Sequence, residues 1–181
     1  MKCLCLSLIL VASSLVAPAA AKSAALPTSQ ASGTASGKVL ILELTIPAPL
    51  SDVWKAFSTS DGLMTWLTPS ATVDLRPGGD WICHFPGGST GGGIIVSFVP
   101  QQELVISALA PDKFPNVRAR RTNAKFSFEA HGTSTLVRLT QTGWQEGDEW
   151  NKAYEYLAVG NAQLLAMLHH RFVSGPTDWT K

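Results

Sequence analysis

The chain has 181 residues, 45% of them hydrophobic, with 14 basic and 13 acidic side chains and a formal net charge of +1. A chain of this length has room for one domain. The near balance of charge excludes the strongly basic surface typical of proteins that bind nucleic acid or anionic membranes, so neither is expected as a partner.

The first 21 residues are predicted to be a cleaved export signal. Lys2 gives a positive start, an apolar run covers residues 4–16, and APAAAK supplies small residues with a cleavage position after Ala21. The run is shorter than a membrane span and is followed by Pro18, which favours a signal peptide over an uncleaved anchor. We therefore expect an exported protein, periplasmic or secreted, without stable membrane insertion after cleavage.

Cys83 is the one cysteine that remains after this cleavage, because Cys3 and Cys5 belong to the leader. An intramolecular disulfide is then impossible. A lone cysteine in a strand is usually a small buried apolar residue. The alternative, a catalytic thiol, needs a base, and the adjacent His84 points to the opposite face of a strand.

Residues 22–38 (KSAALPTSQASGTASGK) are predicted to be a flexible linker. They are rich in Ser, Ala, Thr and Gly and have no apolar period, so they cannot bury enough surface to order themselves. The folded domain is expected over residues 39–173, followed by a C-terminal tail over residues 174–181.

The domain begins with a predicted strand over residues 39–46, where apolar and polar residues alternate. A short helix follows over residues 50–57 after Pro49, and Ser60 can cap a second short helix over residues 61–67. Strand-like runs separated by turn residues come next, at 71–75, 80–85, 94–99, 104–109, 124–130 and 135–142. Their short links favour an antiparallel meander.

The last predicted element is an amphipathic helix over residues 148–172, with one stripe at three- and four-residue steps. The stripe consists of Trp150, Tyr154, Leu157, Asn161, Leu164, Leu168 and Phe172. Its middle is unusual, because Gly160 costs about 1 kcal/mol relative to alanine inside a helix and Asn161 interrupts the apolar side chains. The order of elements predicts an α+β domain in which this helix lies across a curved antiparallel sheet, with the two short helices after the first strand.

Four segments, in this order, resemble a known family. IPAPLSDVWKAFSTSDGLMTWL, DLRPGGDW, VPQQELVIS and TGWQEGDEWNKAYEY…LLAMLHHRF are similar to the Activator of Hsp90 ATPase homologue 1-like (AHSA1-like) family of the START-like, or SRPBCC, helix-grip superfamily. The resemblance implies a START/Bet v 1-like fold in which the curved sheet grips the C-terminal helix around an apolar cavity. Where relatives often carry a tryptophan midway along this helix, the chain has Gly160 and Asn161, which predicts a larger or more polar cavity.

The candidate ligand-binding residues are those expected to line this cavity: Trp54, Trp66, Trp81, Phe98, Phe126, Trp150, Tyr154, Leu157, Asn161 and Leu164. Trp150 and Tyr154 are four residues apart on one helical face, so both core packing and cavity lining are open to them. If they line the cavity, Tyr154 and Asn161 would supply the few polar contacts that orient a ligand.

The ionisable side chains give little support for catalysis. Glu146, Asp148 and Glu149 lie at the start of the long helix, where they complement its dipole. No spacing is typical of a metal site, so no metal and no cofactor are expected. A basic cluster, comprising Arg118, Arg120, Arg121 and Lys125, is either a solvated loop or strand edge, or an anion site.

The glycine-rich segment PGGSTGGGI over residues 86–94 lacks the Gly-Lys-Ser/Thr ending of a phosphate-binding loop and precedes a strand rather than a helix. We expect a mobile hairpin tip there.

Three functions are consistent with the sequence. The first is a non-enzymatic binder of a small apolar or amphipathic molecule, held between the long helix and the sheet. The second is an enzyme of the polyketide-cyclase type that uses Tyr154, His84 or an acid in the same cavity. The third is a co-chaperone, as the family name implies, although export would separate the protein from cytosolic Hsp90. The sparse ionisable side chains favour binding over catalysis, and no protein partner can be named.

Overall fold

The computed structural model describes residues 36–180. The predicted leader and most of the predicted linker lie outside these residues and stay predictions. In chain order the described residues form β1 (Leu40–Ile46), α1 (Leu50–Ser58), α2 (Ser60–Met64), β2 (Ser70–Val73), β3 (Asp80–His84), β4 (Thr90–Val99), β5 (Glu103–Ala108), α3 (Pro115–Arg120), β6 (Thr122–His131), β7 (Ser134–Thr142) and α4 (Asp148–Ser174).

All strands belong to one antiparallel sheet with the order β1-β7-β6-β5-β4-β3-β2. The first two strands therefore lie at opposite edges, and α1 and α2 carry the chain from one edge to the other. A register shift in β4, between Ile95 and Ser97, bends the sheet. The predicted α+β helix-grip architecture, with a curved antiparallel sheet and a long C-terminal helix, is confirmed.

The main hydrophobic core lies between the inner face of the sheet, α1, α2 and the C-terminal half of α4. Alternation along the strands places every second side chain in this core, as in Leu104 and Ile106 of β5. The buried indole of Trp66 donates to the carbonyl oxygen of Ala56 at 3.1 Å. The one polar group of this buried side chain thus has a hydrogen-bond partner inside the core.

A second hydrophobic cluster lies under the N-terminal half of α4. Its centre is Trp144, whose ring meets Trp150 edge-on at 6.4 Å and Tyr154 at 5.0 Å between centroids. The Trp144 indole donates to the carbonyl oxygen of Gln141 at 3.0 Å, and the Tyr154 hydroxyl donates to that of Val39 at 3.3 Å. Core packing is therefore the role of Trp150 and Tyr154 in this structure.

The sequence analysis missed α3. Arg118, Arg120 and Arg121, expected in a solvated loop or strand edge, lie on this helix and at its end. They are engaged with other parts of the domain: Arg118 pairs with Asp112 at 3.0 Å, and Arg121 donates to the carbonyl oxygen of Ser107 at 3.4 Å. A six-residue helix is too short to show a hydrophobic period, and its geometry depends on tertiary contacts.

The carboxylate of Glu149 holds the N-terminus of α3. It accepts hydrogen bonds from the backbone N–H of Asn116 at 2.8 Å, from the Asn116 side-chain amide at 2.6 Å and from the backbone N–H of Val117 at 3.2 Å. Glu149 was expected only to complement the dipole of its own helix. It also accepts hydrogen bonds from backbone N–H groups in the first turn of α3, which have no acceptor within that helix.

The cap of α2 is Thr59, not Ser60. Thr59 has an extended backbone, and its hydroxyl accepts from the N–H of Gly62 at 2.9 Å. Ser60 is the first residue of the helix, and its hydroxyl accepts from the N–H of Val73 at 2.9 Å, which ties α2 to β2. The helix therefore begins one residue earlier than predicted, and Ser60 makes a tertiary contact to β2 instead of capping α2.

The triple glycine over residues 91–93 lies inside β4 and not in a hairpin tip. A Cβ on Gly93 would lie 2.0 Å from the carbonyl oxygen of Ser107, and one on Gly92 would lie 2.0 Å from that of Trp81. Glycine is required at these positions because neighbouring strands approach too closely for a side chain.

Both ends of the described chain are hydrogen-bonded to the domain. The N–H of Ser36 donates to the carbonyl oxygen of Trp144 at 3.0 Å. Near the C-terminus, the N–H of Thr177 donates to the carbonyl oxygen of Thr65 at 2.8 Å, and the Trp179 indole donates to that of Met64 at 2.6 Å. Across residues 36–180, no helix has the length and apolar character that a membrane span requires.

We predict that Glu149→Ala lowers the free energy of unfolding in a pH-dependent manner. Partial burial acts to raise the pKa of the Glu149 carboxyl, but its hydrogen bonds with Asn116 and Val117 outweigh this and hold the pKa below its ordinary value. A lowered folded pKa stabilises the fold above the pKa of an ordinary glutamate, and the stabilisation is lost as the pH falls through the folded value.

Urea unfolding at pH 7 and pH 3 measures this effect. The difference between wild type and Glu149→Ala should be larger at pH 7. Glu155→Ala, on an exposed part of the same helix, is the control and should show no such pH dependence. A difference that is equal at both pH values would contradict the prediction.

Candidate functional site

A cavity of about 590 Å³ lies between α4 and the inner face of the sheet. It separates the main core from the second cluster: Leu165 and Leu168 anchor the C-terminal half of α4, and Trp150 and Ala153 anchor its N-terminal half. The helix is thus held at both ends over a space that it does not fill.

The floor of the cavity is formed by inward-facing side chains of five neighbouring strands. Apolar groups dominate, since Trp81, Ile106, Phe126 and Leu139 all contribute. Burial of the Trp81 indole is supported by its hydrogen bond to the carbonyl oxygen of Phe57 at 2.8 Å. The floor is therefore a mainly apolar surface with two aromatic rings, of the type that small-molecule pockets use.

Small residues form part of the cavity lining. Ala108 of β5 and Ala124 of β6 face the space, and Gly91 and Gly92 of β4 form part of its wall. On the helix, a Cβ placed on Gly160 would meet no atom within 4 Å. Larger side chains in place of Ala108 and Ala124 would fill part of this space.

Three polar side chains form a hydrogen-bonded row along one wall, which we call the amide relay: Thr122, Gln141 and Asn161. The side-chain Nε2 of Gln141 donates to the hydroxyl of Thr122 at 2.7 Å. The Nδ2 of Asn161 donates to Oε1 of Gln141 at 2.8 Å. Gln141 is only 2% exposed, so this contact accounts for the polar residue that interrupts the stripe of α4.

The mouth of the cavity is partly aromatic and carries one ammonium group. Tyr156 lines it and remains 46% exposed, and Phe85 lines the opposite side. The Nζ of Lys113 lies 3.4 Å from the centroid of the Tyr156 ring. This cation–π contact positions Lys113 at the entrance.

Five of the ten candidate binding residues line the cavity: Trp81, Phe126, Leu157, Asn161 and Leu164. The other five do not. Trp54 and Trp66 are packed in the main core against Phe128 and Phe57, Phe98 lies partly buried beside that core, and Trp150 and Tyr154 belong to the second cluster. Helical and strand periodicity identified the inner faces, but it does not distinguish the filled part of a core from the hollow part.

Sequence reasoning missed Gln141, Lys113 and Tyr156. Gln141 was identifiable, because it follows Val137 and Leu139 at steps of two and so faces inward on β7. Tyr156 and Lys113 gave no such signal. They meet only because the loop before α3 crosses the N-terminal half of α4.

The groups considered for catalysis do not converge in this cavity. The Tyr154 hydroxyl is bonded to Val39 in the second cluster, and His84 is exposed near Thr72. The titratable side chains on the lining are Cys83, Asp112, Lys113 and Tyr156. Within residues 36–180, no three His, Cys, Asp or Glu side chains are grouped so as to hold a metal ion.

Cys83 lies on the cavity floor and is 1% exposed. Burial disfavours the thiolate and raises the pKa of its thiol from 9.0 to about 12. Cys83 is therefore a neutral thiol at physiological pH. It packs as a small apolar residue, and a nucleophile would need a lowered pKa instead.

The family profile described as Activator of Hsp90 ATPase homolog 1-like protein matches residues 47–172. The chain belongs to this family. The match spans the described AHSA1-like domain from the end of β1 to α4. No curated relative matches the chain.

Several solved structures share the AHSA1-like fold. The Aha1 dimer from Colwellia psychrerythraea is 20% identical with a TM-score of 0.63, covering 76% of this chain and 98% of that chain. Protein MLL2253 from Mesorhizobium loti is 17% identical (TM-score 0.62, 74% and 95% coverage). CalU16 from Micromonospora echinospora is 21% identical (TM-score 0.58, 78% of each chain). At these identities the likeness shows the fold alone.

We predict that Gly160→Ala raises the free energy of unfolding by up to about 1 kcal/mol, because alanine is the better helix former and its Cβ meets no neighbour. The mirror substitution Ala162→Gly, at an exposed position of the same helix, should lower it by a similar amount. Urea unfolding of both variants measures the two effects. A less stable Gly160→Ala protein would show that α4 needs glycine for its backbone and not for open space.

Proposed function

We propose that this AHSA1-like domain binds a small apolar or amphipathic molecule in the cavity between α4 and the sheet. The observation that carries the proposal is the cavity itself, about 590 Å³ in volume and lined mainly by apolar and aromatic side chains. Small-molecule sites are typically a few hundred to about 1,000 Å³, mostly apolar, with a few fixed polar groups. The amide relay and Lys113 supply such groups here.

The arrangement supports binding more than turnover. General acid–base catalysis requires titratable groups within hydrogen-bond reach of one reacting atom. On this lining, the Cys83 thiol is neutral and buried, and Asp112 is paired with Arg118 at 3.0 Å. Lys113 lies over the Tyr156 ring at the mouth. An apolar floor without a convergent acid and base is suited to holding a molecule.

We predict that Ala108→Phe lowers the affinity for an apolar fluorescent probe at least tenfold. The Cβ of Ala108 faces the cavity, so a phenyl ring at this position occupies the space that a ligand needs. The probe is 1-anilinonaphthalene-8-sulfonate, whose fluorescence rises in an apolar site. Titration of wild type and variant measures the affinity, and the melting temperature of each confirms that it is folded.

Val105→Phe is the matched control, because Val105 lies on the same strand with its side chain on the outer face. It should leave the probe affinity unchanged. Equal binding by wild type and both variants would place the probe elsewhere and contradict the proposal. Native mass spectrometry of the purified protein provides an independent measurement, in which a retained apolar molecule is expected for wild type and not for Ala108→Phe.

We also propose that the protein acts outside the cytoplasm, on the sequence evidence for a leader over residues 1–21. This location separates the domain from cytosolic Hsp90 and argues against the co-chaperone alternative. The intact mass of protein made with its own N-terminus in an exporting bacterial host tests the proposal. A mass equal to residues 22–181 is expected, whereas a mass that includes residues 1–21 would restore the co-chaperone alternative.

A further inference from the structure

The hydrogen bonds of the amide relay all run in one direction, with each donor on the side of α4 or β7 and each acceptor one residue further along the row. The hydroxyl of Thr122 accepts from Nε2 of Gln141, so Gln141 turns its Oε1 towards α4. Asn161 donates one hydrogen of its Nδ2 to this oxygen. The side chain of Gln141 thus orients the amide of Asn161, and both Gln141 and Thr122 are buried, at 2% and 4% exposed.

This direction decides which atoms face a ligand. The Oδ1 of Asn161 accepts no hydrogen bond from the described residues, and Asn161 lines the cavity. Its Nδ2 retains a second hydrogen, because one of the two is used by Gln141. The wall of the cavity therefore offers a carbonyl oxygen with an amide hydrogen beside it, in otherwise apolar surroundings.

Asn161 is a half-buried polar residue in the apolar stripe of α4. A polar side chain in the apolar stripe of a helix exposes hydrogen-bonding atoms to an apolar space, and such atoms cost free energy when they lack partners. Leucine would extend the apolar lining formed by Leu157 and Leu164, and it is a better helix former than asparagine. The Nδ2 of Asn161 donates to Gln141, whereas no described residue donates a hydrogen bond to its Oδ1.

We infer that the ligand carries a hydroxyl group on an apolar, ring-containing body, and that the hydroxyl donates a hydrogen bond to Oδ1 of Asn161. A hydroxyl can also accept from the second hydrogen of Nδ2, so it satisfies both free groups of the amide. The apolar body lies on the floor formed by Trp81 and Phe126, whose ring centroids are 6.2 Å apart. This inference rests on the proposed binding function and names the ligand class for the same cavity.

The test compares two probes that differ in one donor. 2-Naphthol has a hydroxyl, and 2-methoxynaphthalene keeps the rings and the oxygen acceptor but lacks the hydrogen. Each displaces bound 1-anilinonaphthalene-8-sulfonate, and the ratio of the two affinities is the measured quantity. In wild type the ratio should favour 2-naphthol, and in Asn161→Leu it should fall about fivefold, the loss expected for one hydrogen bond in an apolar site.

Two further variants separate the acceptor role from shape. Asn161→Asp retains acceptor oxygens in a side chain of the same size, so the preference for 2-naphthol should persist. Gln163→Leu makes the same amide-to-leucine change at an exposed position of α4 outside the cavity and should leave the ratio unchanged. The melting temperature of each variant verifies its fold.

The outcomes distinguish this inference from the binding function. Displacement by both probes with the same affinity ratio in wild type and Asn161→Leu would overturn the hydroxyl inference and leave the binding function intact. Loss of the preference in Asn161→Asp would also overturn it, because the amide hydrogen and not the oxygen would then be the recognising group. If 1-anilinonaphthalene-8-sulfonate itself does not bind to wild type, both the inference and the proposed function fail.

Discussion

The structure depends on one constraint, which is that α4 is anchored by an apolar cluster at each end, while its middle lies over the cavity and is hydrogen-bonded to the sheet through Asn161 and Gln141. Leu165 and Leu168 fix the C-terminal half in the main core, and Trp150 and Ala153 fix the N-terminal half against Trp144. Apolar burial is roughly proportional to area, so two separate clusters can hold a helix that spans a gap.

Several residues around the cavity are less stabilising than the alternatives that a filled core would use. Ala108 and Ala124 on the sheet forgo the apolar contacts that larger side chains would make, and Gly160 lowers the helix propensity of α4. Asn161 and Gln141 add polar groups that only a complete hydrogen-bonded row can make tolerable. Such local departures from good packing are characteristic of binding sites, where function opposes the most stable sequence.

Much of the fold could be predicted from the sequence. Alternation over residues 39–46 and the stripe of α4 identified both elements, because strand and helix periods are local properties of the chain. Short connections determined that the strands form an antiparallel meander. The site was harder to predict, because Trp66 and Trp81 were both expected to face inward, yet Trp66 is fully packed and Trp81 faces the cavity.

The sequence by itself determined the order of elements apart from α3, the inward faces of the strands and the two anomalies at Gly160 and Asn161, since all of these depend on residue type and spacing. Only the tertiary structure decided that Gln141 meets Asn161, that Glu149 holds α3, and that Tyr154 packs on Trp144 instead of lining the cavity. The reason is physical: these contacts join residues from different elements, and the position of each element depends on the packing of the whole domain.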